Sequence, residues 1–112
     1  MKNEFVLKID TDERKYNDIF KVLRLNPSSI INYWEYELKN SNPIAELYAI
    51  LNDKIILLNE LGILREHFTL WLYYEYENQC NMEFSSKDLM MLSELGIQLC
   101  ISCWEKGANV EI

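Results

Sequence analysis

Cys100-Ile101-Ser102-Cys103 has the C-x-x-C spacing used by thiol redox pairs and zinc knuckles. A redox pair needs its attacking thiol at a helix N-terminus, where the backbone dipoles stabilise the thiolate. Here the motif sits in an alternating apolar segment that predicts a strand, and residues three apart on a strand point to opposite faces. Small half-buried residues in a strand are the simpler reading. Cys80 and His67 would complete a Cys3His zinc set with Cys100 and Cys103, but the paired knuckles that usually present such ligands are missing. His67, the only histidine, has Glu66 as its only neighbouring carboxylate. Acid–base catalysis would need a nucleophile as well. Ser28-Ser29 and Ser85-Ser86 stand where turns and helix caps use hydroxyls. Gly62, Gly96 and Gly107 are isolated, so no phosphate-cradling loop can be built from them. The residues predict no catalytic site, no metal and no cofactor.

A second constellation is acidic and aromatic. Tyr33, Glu35 and Glu37 fall at every second position of one segment, as Trp71, Tyr73, Glu75 and Glu77 do in another. On neighbouring strands these seven side chains would share one sheet face. Large aromatics give contact area at low entropic cost, and carboxylates complement Arg and Lys, so such a face suits a basic protein partner. The competing reading is a solvated sheet face whose aromatics cover one another.

The whole composition agrees with an acidic binder. The chain has 112 residues, is 49% hydrophobic and carries a net charge of -7. That length predicts a single domain with its own core, residues 1–105, followed by a C-terminal tail, 106–112. Strong acidity argues against nucleic acid, whose phosphates require clustered Lys and Arg. The N-terminal residues lack the apolar core and cleavage site of a signal peptide, and no apolar run is long enough to span a bilayer. An odd cysteine count fits free thiols, and the expectation is a cytoplasmic protein.

The elements follow from periodicity. Phe5, Leu7 and Ile9 alternate with polar positions as a first strand. Tyr16, Ile19, Phe20 and Leu23 form a helical stripe that Asn26-Pro27 ends. Ser29 to Lys39 returns to alternation, with Ile30, Trp34, Tyr36 and Leu38 on one face with Asn32, and Ile31, Tyr33, Glu35 and Glu37 on the other. Asn42-Pro43 caps a helix whose Ile44, Leu47, Tyr48, Leu51, Ile55 and Leu58 hold helical spacing as far as Gly62. Phe68–Glu77 predicts the central strand, with Phe68, Leu70 and Leu72 facing the core. Met82-Glu83-Phe84 predicts a short strand, Ser85 caps a helix bearing Leu89 and Leu92, and Ile97 to Trp104 is a last strand. The expected class is α+β in the order β-α-β-α-β-β-α-β. A mostly antiparallel sheet of about five strands would carry about three helices, all on one face.

This order resembles the small bacterial domains grouped as domain of unknown function 4279. The likeness rests on Thr11-Asp12 opening a helix that ends Leu23-Arg24-Leu25-Asn26-Pro27-Ser28, and on the strand Trp34-Glu35-Tyr36. A leucine-rich helix, Ser85 before the helix ending Leu95-Gly96, and an apolar last strand extend it over nearly the whole chain. Members of that group have a longer, Gly-containing insertion before the Trp than the short Ser28–Tyr33 segment here. The resemblance implies an α+β fold and a bacterial source, and it transfers no activity and no functional residue.

The function expected is therefore a non-enzymatic, acidic protein-binding module. Its most concrete form, by analogy with small acidic bacterial inhibitors, is an immunity protein. It would neutralise a basic toxin, such as a nuclease, by occluding the toxin's active site. The alternatives are an enzyme or small-ligand-binding domain with a pocket between sheet and helices, and a homodimer joined by strand edges or sheet faces.

Overall fold

The structure, a computed structural model, describes residues 2–108. Four strands form one mixed sheet: β1 (Asn3–Ile9), β2 (Trp34–Leu38), β3 (Phe68–Tyr76) and β4 (Gln98–Glu105), in the order β2-β1-β3-β4. β1 runs antiparallel to both β2 and β3, while β3 and β4 are parallel. The helices are α1 (Tyr16–Leu23), α2 (Pro43–Leu51), α3 (Ile55–Glu60) and α4 (Ser86–Leu95), with 3-10 turns at Glu13–Lys15 and Arg65–His67. The class is α+β, as expected, but the counts differ by one in each kind. Met82-Glu83-Phe84 forms no strand, and the helix predicted from Asn42 to Gly62 is two helices. Of the expected tail, 106–108 begins with a turn and 109–112 lies outside the described residues.

The split in that helix has a local cause. Asn52 and Asp53 have low helix propensity, and the chain turns there, with Lys54 N–H donating to the Leu51 carbonyl at 2.9 Å. The apolar spacing survives the break: Ile44, Leu47, Leu51, Ile55 and Leu58 are all buried. Asn42 caps α2 by accepting the Ala45 N–H, with Pro43 at its first position. α3 ends in a Schellman motif, in which Ile63 N–H donates to Leu58 C=O and Gly62 N–H to Asn59 C=O. Gly62 takes φ +83°, and a Cβ there would lie 2.5 Å from Lys15 Nζ. That ammonium donates to the Leu61 carbonyl at 2.6 Å. Gly62→Ala is therefore expected to lower stability by about 1–2 kcal/mol, measured by denaturant unfolding, because an L-residue is strained at positive φ. An unchanged midpoint would show that the motif relaxes without cost.

Helix α1 stops at Leu23, earlier than Pro27 requires, because Arg24 enters the left-handed region at φ 57°. Its stripe is also rotated from the expected one. Ile19 is buried, Tyr16, Val22 and Leu23 pack against the core, and Phe20 lies on the surface. In α4 the buried residues are Leu92 and Leu95, whereas Leu89 is exposed. The Tyr48 hydroxyl donates to the Glu94 carboxylate and ties α2 to α4. Ser85 caps α4 through the Asp88 N–H at 3.0 Å.

Ahead of α1, Asp12 accepts the Arg14 N–H at 2.9 Å and holds the Arg14 guanidinium in a forked ion pair. The side-chain bonds from Arg14 come first, and the backbone bond second, in lowering its pKa from 3.8 to about 2. A depressed carboxylate pKa stabilises the fold above pH 3.8, and that contribution is lost as the pH falls through about 2. An NMR titration of the Asp12 carboxyl should give a midpoint near 2; a midpoint at the ordinary aspartate value would mean that Arg14 swings free.

The core lies between the sheet and the helices. β1 contributes Leu7 and Ile9, β2 contributes Trp34 and Leu38, and β3 contributes Phe68 and Leu70. The helices and the 61–64 turn supply Ile19, Leu47, Leu51, Leu58, Ile63 and Leu95. Each of the four helices contributes to this one side, so among the described residues the opposite side of the sheet carries no helical layer.

Candidate functional site

That opposite face is set by strand parity. Glu35 and Glu37 come from β2, Glu4, Val6 and Lys8 from β1, with Lys2 just ahead of it, and Thr69, Trp71, Tyr73 and Glu75 from β3. Gln98, Cys100, Ser102 and Trp104 come from β4. The condition that β2 and β3 be neighbours is not met, since β1 lies between them. The side chains nevertheless share a face, because both strands pair with β1 in registers that preserve parity.

The inserted strand changes the chemistry. Lys8 stands opposite Glu35 on one side and Thr69 on the other. Its Nζ lies 4.8 Å from the Trp71 ring centroid, 5.2 Å from Tyr73 and 5.5 Å from Tyr33. Glu35 Oε1 is 3.6 Å away. The Trp71 and Tyr73 rings stack at 5.8 Å with an interplanar angle of 14°, so the ammonium meets both π-faces. Only 15% of the Lys8 side chain is exposed. Three of the aromatics expected to receive a partner's cation therefore already hold one from this chain. Val6 and Tyr73 are buried on this face without any helix above them, covered by the neighbouring long side chains.

The other carboxylates are also engaged, with one exception. Glu75 accepts the Trp104 indole N–H and the Lys2 backbone N–H, each at 3.3 Å. Glu77 lies past the end of β3 and pairs with Lys106 at 3.7 Å. Glu37 forms no ion pair among the described residues and borders a surface cleft of about 460 Å³ with Asn3, Phe5, Lys39 and Pro43. The face is thus aromatic and zwitterionic rather than uniformly acidic.

His67 lies at one end of this face, in a cleft of about 290 Å³ bordered by Lys8, Asp10, Glu66, Trp71 and Cys100. Its Nδ1 accepts the Leu64 N–H at 2.9 Å, which leaves the ring proton on Nε2. The pocket expected between sheet and helices is therefore not where His67 lies; its cleft opens on the helix-free side. The zinc set is divided. Cys100 shares the open face with Trp71, while Cys103 is paired with Tyr74 on the other face, beside Cys80. Among the described residues, no three His, Cys, Asp or Glu side chains gather to hold a metal. The Cys80 thiol is pushed above its ordinary pKa, first by desolvation and then by the Cys103 thiol beside it. That direction opposes a reactive thiolate.

Comparison with known proteins adds no relative. No family model, curated protein or solved structure matches the chain. No helix among the described residues is long and apolar enough to cross a membrane.

Lys8 is the residue that sequence reasoning passed over. Its parity with Val6, opposite to Leu7 and Ile9, already placed it on the outward face of β1. What the one-dimensional pattern lacked was the strand order that sets it between Glu35 and Trp71.

Proposed function

We propose that the chain is a non-catalytic protein-binding module whose open sheet face receives a basic protein. The observation that carries this reading is a sheet with helices on one side only, whose bare side bears Tyr33, Trp71 and Tyr73 on a chain of net charge -7. The charge would steer a basic partner, and aromatic contact would then hold it. Tyr33 is the accessible anchor, 37% exposed at the rim of the Lys8 cage, and Glu37 is a carboxylate of this face that forms no ion pair among the described residues. The most concrete form is an immunity protein that covers the active site of a basic toxin such as a nuclease, in the cytoplasm of the bacterium that makes both.

Co-expression with the product of the adjacent upstream gene tests this. A complex should persist through size exclusion at low salt, weaken as salt rises, and weaken further in Tyr33→Ala. If the neighbouring product is no toxin and nothing is retained at low salt, the reading fails. One observation favours a second reading, small-ligand binding, namely the cleft that gathers Lys8, Asp10, Glu66 and His67. Under that reading the resonances of His67 and Trp71 would shift on addition of a small metabolite and remain unmoved by the toxin.

A further inference from the structure

β4 is an edge strand, and among the described residues nothing pairs with its outer side. Lys106 N–H donates inward to the Tyr76 carbonyl at 2.7 Å. Backbone groups alternate along a strand, so Ser102 and Trp104 also bond toward β3, whereas Leu99, Ile101 and Cys103 direct N–H and C=O outward. The other edge of the sheet is treated differently. There Ser28 and Ser29 N–H both donate to the Glu35 carbonyl, and Glu35 N–H returns a bond to Ser29. Ser28 Oγ takes the Glu37 N–H. One edge is closed from within the chain and one is open.

The open edge lacks the devices that keep strands apart. Gln98 to Trp104 contains no Lys, Arg or Pro, and its pairing to β3 runs without a bulge. It also carries no Asp or Glu, on a molecule whose net charge of -7 repels a second copy over most approaches. Ile101, on the helix side of this strand, is 43% exposed because the helical layer stops short of it.

We propose that β4 pairs antiparallel with β4 of a second copy of this chain, about a two-fold axis at Ile101. In this register the outward groups of Leu99, Ile101 and Cys103 all find partners, and Glu105, whose carbonyl already accepts the Ala108 N–H, falls beyond the ladder. Ile101 exchanges both backbone bonds with Ile101 of the second copy, and Leu99 exchanges both with Cys103, twice by symmetry. Directly opposed residues lie on the same face, so the two Ile101 side chains cover each other on the helix side. A slip by two residues would bring Glu105 into the ladder opposite Leu99, which disfavours it. The product is a continuous sheet of twice four strands, with both helical layers on one side and both Lys8 cages on the other. This interface is separate from the face assigned to the basic partner and does not depend on that reading.

Light scattering on the purified full chain, kept reduced, tests the pairing. The wild type should give twice the 13.4 kDa chain mass and dissociate on dilution. Cys103→Pro removes an N–H that bonds only to the second copy, and proline is tolerated at an edge. It should weaken dimerisation at least about tenfold, since two bonds are lost and two carbonyls are left unpaired. Ile101→Lys should act similarly without altering the backbone. Hydrogen exchange on the wild type separates lost pairing from lost fold: protection of the Leu99, Ile101 and Cys103 amides should rise with protein concentration. A wild type that stays monomeric at high concentration overturns the proposal. So does a dimer undiminished in both folded variants, or exchange at those amides that ignores concentration.

Discussion

Trp34→Ala is expected to cost about 3–5 kcal/mol in denaturant unfolding, the largest effect of any single truncation in the sheet. Trp34 has no exposed surface and is the largest of the fully buried side chains. It sits on β2 opposite Ile9, where the core passes from the sheet to the helices. Domains of this size are commonly stable by only about 5–15 kcal/mol, so the variant should be marginal or unfolded at physiological temperature. Trp34→Phe separates volume from polarity. Its indole Nε1 is buried and meets no acceptor among the described residues, so losing the N–H removes no bond and the cost should be set by the smaller ring. A loss below about 1 kcal/mol for the alanine variant would mean that this end of the core is open to collapse.

Lys8→Glu is the second large change expected. It removes the cation that Trp71, Tyr73 and Tyr33 surround and places a carboxylate beside Glu35, 3.6 Å from where the ammonium stood. Each ring contact of a partly desolvated cation is worth about 0.5–1 kcal/mol, so a total loss of about 2–3 kcal/mol is expected with the new repulsion included. Lys8→Met keeps the aliphatic stem over the rings and should cost about half as much. A double-mutant cycle with Trp71→Leu isolates the ring contact, with a coupling of about 0.5–1 kcal/mol. Zero coupling would show that the ammonium points to water and that the rings merely cover one another. The same variant bears on function: with Lys8→Met, Glu35 is left without its internal cation, and a basic partner should bind more tightly.

Much of the architecture was legible because burial imposes a period. The alternation of Phe5, Leu7 and Ile9, of Trp34 and Leu38, and of Phe68, Leu70 and Leu72 placed those side chains on the helix side correctly. The set Ile44, Leu47, Leu51, Ile55 and Leu58 was buried as its spacing implied, although the helix carrying it breaks at Asn52–Lys54. Periodicity reports which side is apolar, not whether the backbone stays continuous, and the weak helix formers Asn52 and Asp53 stand at the turn. The same limit explains Phe20 and Leu89. Each fits an apolar stripe about as well as its neighbours, and the direction of approach of the rest of the fold left each of them outside. Met82-Glu83-Phe84 failed as a strand because three residues have no partner unless the sheet offers an edge beside them.

The candidate site divides along the same line. Residue types and parity alone determined that Glu35, Glu37, Trp71, Tyr73 and Glu75 belong to an outward face, because a period of two sets them opposite the core positions, whereas Tyr33 lies in the bend before β2. Strand order was decided only in three dimensions, by which strands can satisfy one another's backbone while burying Trp34 and Phe68 on one side. That order put β1 between the two acidic strands, and with it Lys8 among the aromatics. It also left β4 at an edge, with Leu99, Ile101 and Cys103 unpaired on their outer side among the described residues. Local sequence sets the face a side chain takes, whereas its neighbours across the sheet come from contacts distant in the chain, which no local period encodes.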